Sequence, residues 1–162
     1  MKKLIVCFLL LFTTTAFAEV DKAQMDSFKK EARGLREAIG DAVSSVVPGR
    51  SYVDLPKATY LDGYGAVITL EAALGPTRSP FSSPATPEQV RKTFNERRTQ
   101  ITQKIEALLK KSGAMQSIGP NESVTVVLYL LNSNPADVPD LPSQILFTLK
   151  KQDPTQVIVR EF

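Results

Sequence analysis

The chain of 162 residues contains no histidine and a single cysteine, Cys7. Histidine is the commonest general base and metal ligand, and cysteine supplies thiolate nucleophiles and soft ligands. The usual Ser-His-Asp and Cys-His constellations and transition-metal sites therefore lack their central members. Cys7 itself stands inside the opening stretch MKKLIVCFLLLFTTTAFA. There Lys2 and Lys3 make a positive n-region, residues 4–12 an apolar h-region, and Ala16-Phe17-Ala18 a small-residue cleavage pattern, the layout of a secretory signal peptide. Reading Leu4-Ile5-Val6-Cys7 as a lipid-attachment box would leave almost no apolar stretch before the cysteine. Cleavage near Ala18 leaves 144 residues without cysteine, which excludes disulfides and thiol chemistry from the mature chain. The expected location is periplasmic or secreted.

Other absences narrow the function further. No apolar run after the signal approaches the roughly 20 residues needed to cross a bilayer, so no transmembrane segment is expected in the mature chain. Charge of one sign is missing too: without Lys2 and Lys3 the 20 basic side chains become 18, against 17 acidic ones, and nothing in that balance points to nucleic acid. No glycine-rich loop opens a helix, so phosphate cradling is unsupported. Ser44, Ser45 and Ser112 have no G-x-S-x-G context, and no cofactor is expected.

What is present is periodicity. Over residues 21–46, Met25, Phe28, Ala32, Leu35, Ile39, Ala42, Val43 and Val46 step by three and four as one stripe of an amphipathic helix that Pro48-Gly49 would end. A second helix starts at Thr86 as N-cap, with Pro87 in the first turn and Gln89 completing a capping box, and stops at Gly113. Its stripe is Val90, Phe94, Ile101, Ile105, Leu108 and Leu109. Arg97 and Arg98 fall where another apolar residue belongs, so one of them is expected to lay its aliphatic stem along the core edge. The basic residues of this helix are mostly accounted for by a solvated face with Glu88 to Lys92 and Glu106 to Lys110 at i,i+4, the alternative being attraction to an anionic envelope polymer, which strong salt dependence of binding would support.

Elsewhere the period is two. Ala66, Ile68, Leu70 and Ala72 alternate with Val67, Thr69 and Glu71, and Val124 to Leu131 alternate likewise. Ile145, Phe147 and Leu149 mark a strand, another is expected near 56–62, and 155–162 reads as an exposed edge strand ending at Phe162, so that deleting residues 157–162 is expected to cost only modest stability. The predicted fold is α+β, a single domain over 19–162: an antiparallel sheet of four to five strands with two long helices on one face, in the order α-β-β-α-β-β-(β).

Within 59–76, TYLDGYGAVITLEAALGP, the pair Asp62-Gly63 signals a tight hairpin turn, with Tyr60 and Tyr64 packing near its ends and Gly65 allowing a bulge or a close backbone approach. The alternation sends Val67, Thr69, Glu71, Val127, Tyr129, Leu131, Leu146, Thr148 and Lys150 away from the helices. That face is too apolar for ordinary solvent-facing sheet and too polar for a second core, the composition of a contact surface. Candidate binding residues are thus Tyr60, Tyr64, Glu71, Val127 and Tyr129, with Phe81 from the proline-rich loop GPTRSPFSSPATP. That loop would either tuck Phe81 against the domain, covering this face, or present it to a partner.

Residues 59–90 resemble a group of exported bacterial proteins of unknown function. Their Tyr-Leu-x-Gly-Tyr-Gly stretch, strand ending Thr-Leu-Glu and Thr-Pro-Glu helix start correspond here to Tyr60, Leu61, Gly63, Tyr64, Gly65, Thr69, Leu70, Glu71, Thr86, Pro87 and Glu88. The resemblance implies an exported domain and brings no activity with it. The primary expectation is a non-enzymatic domain acting through contacts with a protein partner or a second copy in the cell envelope. The alternative is a carboxylate-dependent hydrolase of wall or glycan material using Glu71. Asp62, nine residues away along one extended segment, is too distant to flank the same glycosidic bond.

Overall fold

The computed structural model of the chain describes residues 22–47, 55–76, 83–112, 115–131 and 138–162. Helix α1 (Lys22–Ser44) forms on the predicted stripe and buries Phe28, Ala32, Leu35, Ile39 and Val43. The amides of Val46 and Val47 both bond to the Val43 carbonyl at 3.0 Å, turning the chain out of the helix. Pro48 and Gly49, read as its stop, lie outside the described residues, as do Gly113 and Phe81. Helix α2 (Pro87–Ser112) begins with the capping box that its sequence announces: the Gln89 amide donates to Thr86 Oγ1 at 3.3 Å, and the Thr86 amide to Gln89 Oε1 at 3.0 Å.

Five strands follow in chain order as neighbours in one sheet: β1 (Lys57–Leu61), β2 (Gly65–Ala72), β3 (Ser123–Leu130), β4 (Gln144–Lys150) and β5 (Asp153–Glu161). The sheet is mixed, which corrects the antiparallel expectation. β1/β2, β3/β4 and β4/β5 are antiparallel, but β2 and β3 run parallel from Gly65↔Ser123 to Ala72↔Leu130. The reason is the connection. Strands joined by tight turns reverse direction, whereas the chain from β2 to β3 traverses all of α2 and returns to the end from which β2 began, as parallel pairing requires.

The fifth strand also departs from expectation. It is nine residues long, the longest in the sheet, and is shifted against β4 by an irregularity at Leu149/Lys150. Though an edge strand, it leans Val157 and Val159 on the core, and Arg98 of α2 reaches Glu161 at 3.0 Å. The Phe162 carbonyl accepts from the amides of Ser143 at 2.5 Å and Gln144 at 3.1 Å, tying the strand's far end back to β4. At its near end the hydroxyl and amide of Thr155 donate to Asp153, which holds that carboxyl below its ordinary range.

Both helices cover one face of the sheet. Under them lie Ile68, Val126 and Phe147 in one cross-strand row, Leu70, Leu128 and Ile145 in the next, and Ala66, Val124 and Leu149 in a third, all buried. α1 sits over β1 and β2, and α2 over β4 and β5. Both arginines that interrupt the α2 stripe are half-buried and end on partners. Arg97 donates to the Leu74 carbonyl at 3.3 Å and to the Gly75 carbonyl, fixing the exit of β2, while Arg98 holds β5.

Candidate functional site

Alternation leaves the opposite face of the sheet to be built from the remaining side chains. Across its middle run Thr59, Val67, Thr125, Thr148 and Ile158, and beside them Lys57, Thr69, Val127, Leu146 and Arg160. Nearer the end of β3 stand Glu71, Tyr129 and Gln144. Val67, Val127, Leu146 and Ile158 are half-buried. Tyr129 is 45 % exposed, and Leu131 and Phe162, whose alternation puts them on this side, are exposed as well. No described helix lies on this face; both pack on the other.

The turn between β1 and β2 decides which tyrosine belongs where. Gly63 takes φ 72° and Gly65 φ 111°, and the Tyr64 amide closes the turn on the Leu61 carbonyl at 3.0 Å. A β-carbon on Gly65 would lie 2.2 Å from the Ser123 carbonyl oxygen, so the close approach foreseen for this glycine is the start of the parallel β2/β3 pairing. Tyr64 consequently folds over the open face. Its hydroxyl and that of Thr125 share a hydrogen bond at 2.9 Å, and Thr125 lies 3.3 Å from the Thr148 hydroxyl. Under this cover Thr125 is only 2 % exposed, a polar centre inside an apolar face.

Tyr60 points the other way. Its ring meets Phe28 of α1 edge-on, 5.5 Å between centroids, and its hydroxyl donates to Glu122 Oε1 at 2.8 Å. The second Glu122 oxygen accepts the Gly119 amide at 2.6 Å. Burial first, and then the Glu122 carboxylate, pushes the Tyr60 phenol up to about 12. A phenol so held is a permanent donor and a poor base or nucleophile, so this pair fastens the loop before β3 to β1. The same loop is gripped by Glu31, whose Oε2 accepts the Ser117 hydroxyl at 2.7 Å, by Gln24 on the Ser117 carbonyl at 2.9 Å, and by Lys151 on the Met115 carbonyl at 2.9 Å.

Among the described residues, concavities open on the helical side. A groove of about 380 Å³ runs at the seam of the helices, lined by Glu31, Gly34, Leu35, Ala38, Leu108, Lys111 and Met115. A smaller one of about 250 Å³ lies beside Gly40, Leu55 and Pro56. Glu71 lines neither; it stands on the open face opposite Tyr129. Among the described residues no group of three or more acidic or cysteine side chains is placed to hold a metal, and no helix is long and apolar enough to cross a membrane.

Of the residues singled out from the sequence, Tyr64, Glu71, Val127 and Tyr129 thus share one face, while Tyr60 lies behind it. Ile158, Arg160 and Phe162 belong to the same face but were missed, because the faint two-residue period of 155–162 gives no register against β4. The arrangement defines an α+β domain with a five-stranded mixed sheet covered by helices on one side. The chain matches no protein-family profile, no curated protein and no solved structure.

Proposed function

We propose that the protein is an exported bacterial domain that works in the cell envelope through protein contacts, with the helix-free face of its sheet as the contact surface. One observation carries this reading. Large apolar side chains, among them Tyr129 at 45 % and Phe162 at 57 % exposure, stand on a face where half-buried Val67, Val127, Leu146 and Ile158 surround the polar centre at Thr125 and Thr148. Exposed apolar area of this kind, rimmed here by Glu71, Arg160 and Lys150, is the ordinary composition of a protein interface. Export is supported by the signal-peptide layout of the first eighteen residues. The hydrolase alternative would use Glu71, which stands on this same open face opposite Tyr129.

Sedimentation of the purified protein tests this, with the envelope fraction as bait source if the protein is monomeric. Val127→Lys with Tyr129→Lys should leave the circular-dichroism spectrum and melting transition in place, because neither side chain belongs to the core, and should abolish association. A double variant that unfolds would show that the face is internal, and one that still associates would move the interface elsewhere.

A further inference from the structure

We propose that the groove between α1 and α2 is a binding site for a single acyl chain with an anionic head group, the chain lying on Leu35, Leu108 and Met115 and the head at Lys111. This site is on the helical side of the molecule and does not depend on the role of the open sheet face. Three observations lead to it.

The first is Gly34. It occupies the interior of a 23-residue helix, where glycine costs up to about 1 kcal/mol relative to alanine. Nothing lies within 4 Å of the point a β-carbon would take, and φ is not in the left-handed region, so neither packing nor backbone strain calls for glycine. What the missing side chain does is leave the groove open, since Gly34 is one of its walls.

The second is the build of the groove. Leu35 and Met115 are buried, Leu108 is half-buried, and the Met115 wall is held by Lys151, which donates to the carbonyls of Met115 at 2.9 Å and Ile118 at 2.5 Å. Fixed walls bind an apolar ligand without first having to be ordered. A volume of about 380 Å³ stands at the lower end of small-molecule sites, near about 300 Å³, which suits one chain rather than a two-chain lipid.

The third is charge. Two ionisable side chains line the groove, and they are not equivalent. Glu31 is drawn to the loop wall, its Oε2 accepting both the hydroxyl and the amide of Ser117 at 2.7 and 3.2 Å. Lys111 is exposed and makes no ion pair among the described residues, whereas its neighbour Lys110 reaches Glu106. Glu31 keeps its charge but holds it against the loop wall, so the exposed charge that a ligand head can meet directly is the Lys111 ammonium, which suits a carboxylate or phosphate.

Calorimetric titration of the purified protein with dodecanoate, dodecyl phosphate, dodecanol and dodecyltrimethylammonium, each below its micellar concentration, tests the assignment. Both anions should bind saturably at one site, the alcohol about threefold more weakly, as expected for an exposed ion pair, and the cation weakest. Whichever anion binds more tightly separates a fatty acid from a phosphate ester as the natural source. Lys111→Gln should bring the anions to the level of the alcohol without changing the alcohol. Gly34→Leu should remove binding of every chain while leaving the melting temperature unchanged or higher, and Ala38→Leu fills the same groove from one turn further along α1 should the first variant misfold. Absence of saturable binding, equal affinity for the cation, or undiminished binding in a folded Gly34→Leu protein would overturn the proposal.

Discussion

At the scale of single residues, the β1/β2 turn shows what a side chain's absence and presence each accomplish. Gly65 must remain glycine for two separate reasons, a positive φ and the Ser123 carbonyl 2.2 Å from any β-carbon. Gly65→Ala should destabilise by roughly 3 kcal/mol or more, measured by denaturant unfolding, while alanine at the unconfined Gly34 should not. Tyr60 makes the opposite case. Tyr60→Phe keeps the ring on Phe28 but withdraws the donor from a buried carboxylate, an expected loss of about 1–3 kcal/mol. Because folding raises this phenol from 10.0 to about 12, the native state holds the proton more tightly than the unfolded chain. The associated stability is complete below pH 10 and disappears as pH rises from 10 to about 12. Stability curves of the wild-type and Tyr60→Phe proteins should converge over that window, and the phenolate absorbance step near pH 12 should be missing from the variant. The turn itself was legible in Asp62-Gly63. Glu122 was not, since its partner stands 62 residues away and no local pattern links them.

At the scale of elements, legibility followed the range of the interactions that specify each one. The α2 start is a local device, four residues long, and it appears as read; Thr86→Ala should cost about 1 kcal/mol in thermal unfolding. Strand direction depends instead on where the chain goes between strands. The antiparallel expectation rested on the short connections within each hairpin, while the helix of 26 residues read between β2 and β3 is long enough to carry the chain back along the sheet and make that pair parallel. β5 is the edge strand read from the sequence, but its length and its contribution to the core were underestimated for a related reason. Its first half is polar and carries Pro154, so its weight seemed to lie outside the core, yet Val157 and Val159 continue the buried rows of Leu149 and Phe147. Deleting residues 157–162 should therefore cost about 3 kcal/mol or more rather than a modest amount, since it removes both valines and bares the β4 edge. A lowered denaturation midpoint with increased binding of a hydrophobic dye would report that exposure.

At the scale of the whole molecule, the two sides of the sheet pose different physical problems. One is a finished core. The other is an apolar field with a polar centre, Tyr64 over Thr125 and Thr148, and charged residues only at its margins. The alternation made this face visible from sequence, but its extent required the register of β5, which brings Ile158 and Arg160 into the rows of Val67 and Val127. If the contact is made there, the driving force is removal of apolar area from water, which salt does not screen. The basic face of α2 offers the contrary case, in which attraction to an anionic envelope polymer would fall steeply with ionic strength. Association followed by sedimentation or pull-down should hold or strengthen as sodium chloride rises from about 0.05 to 0.5 M, where the Debye length contracts below about 5 Å. Sulfate, excluded from protein surfaces, should strengthen it further. Loss of association over the same range would transfer the interface to the cationic helix. The Val127→Lys, Tyr129→Lys protein separates the two again, being silent on the sheet face while leaving every α2 charge in place.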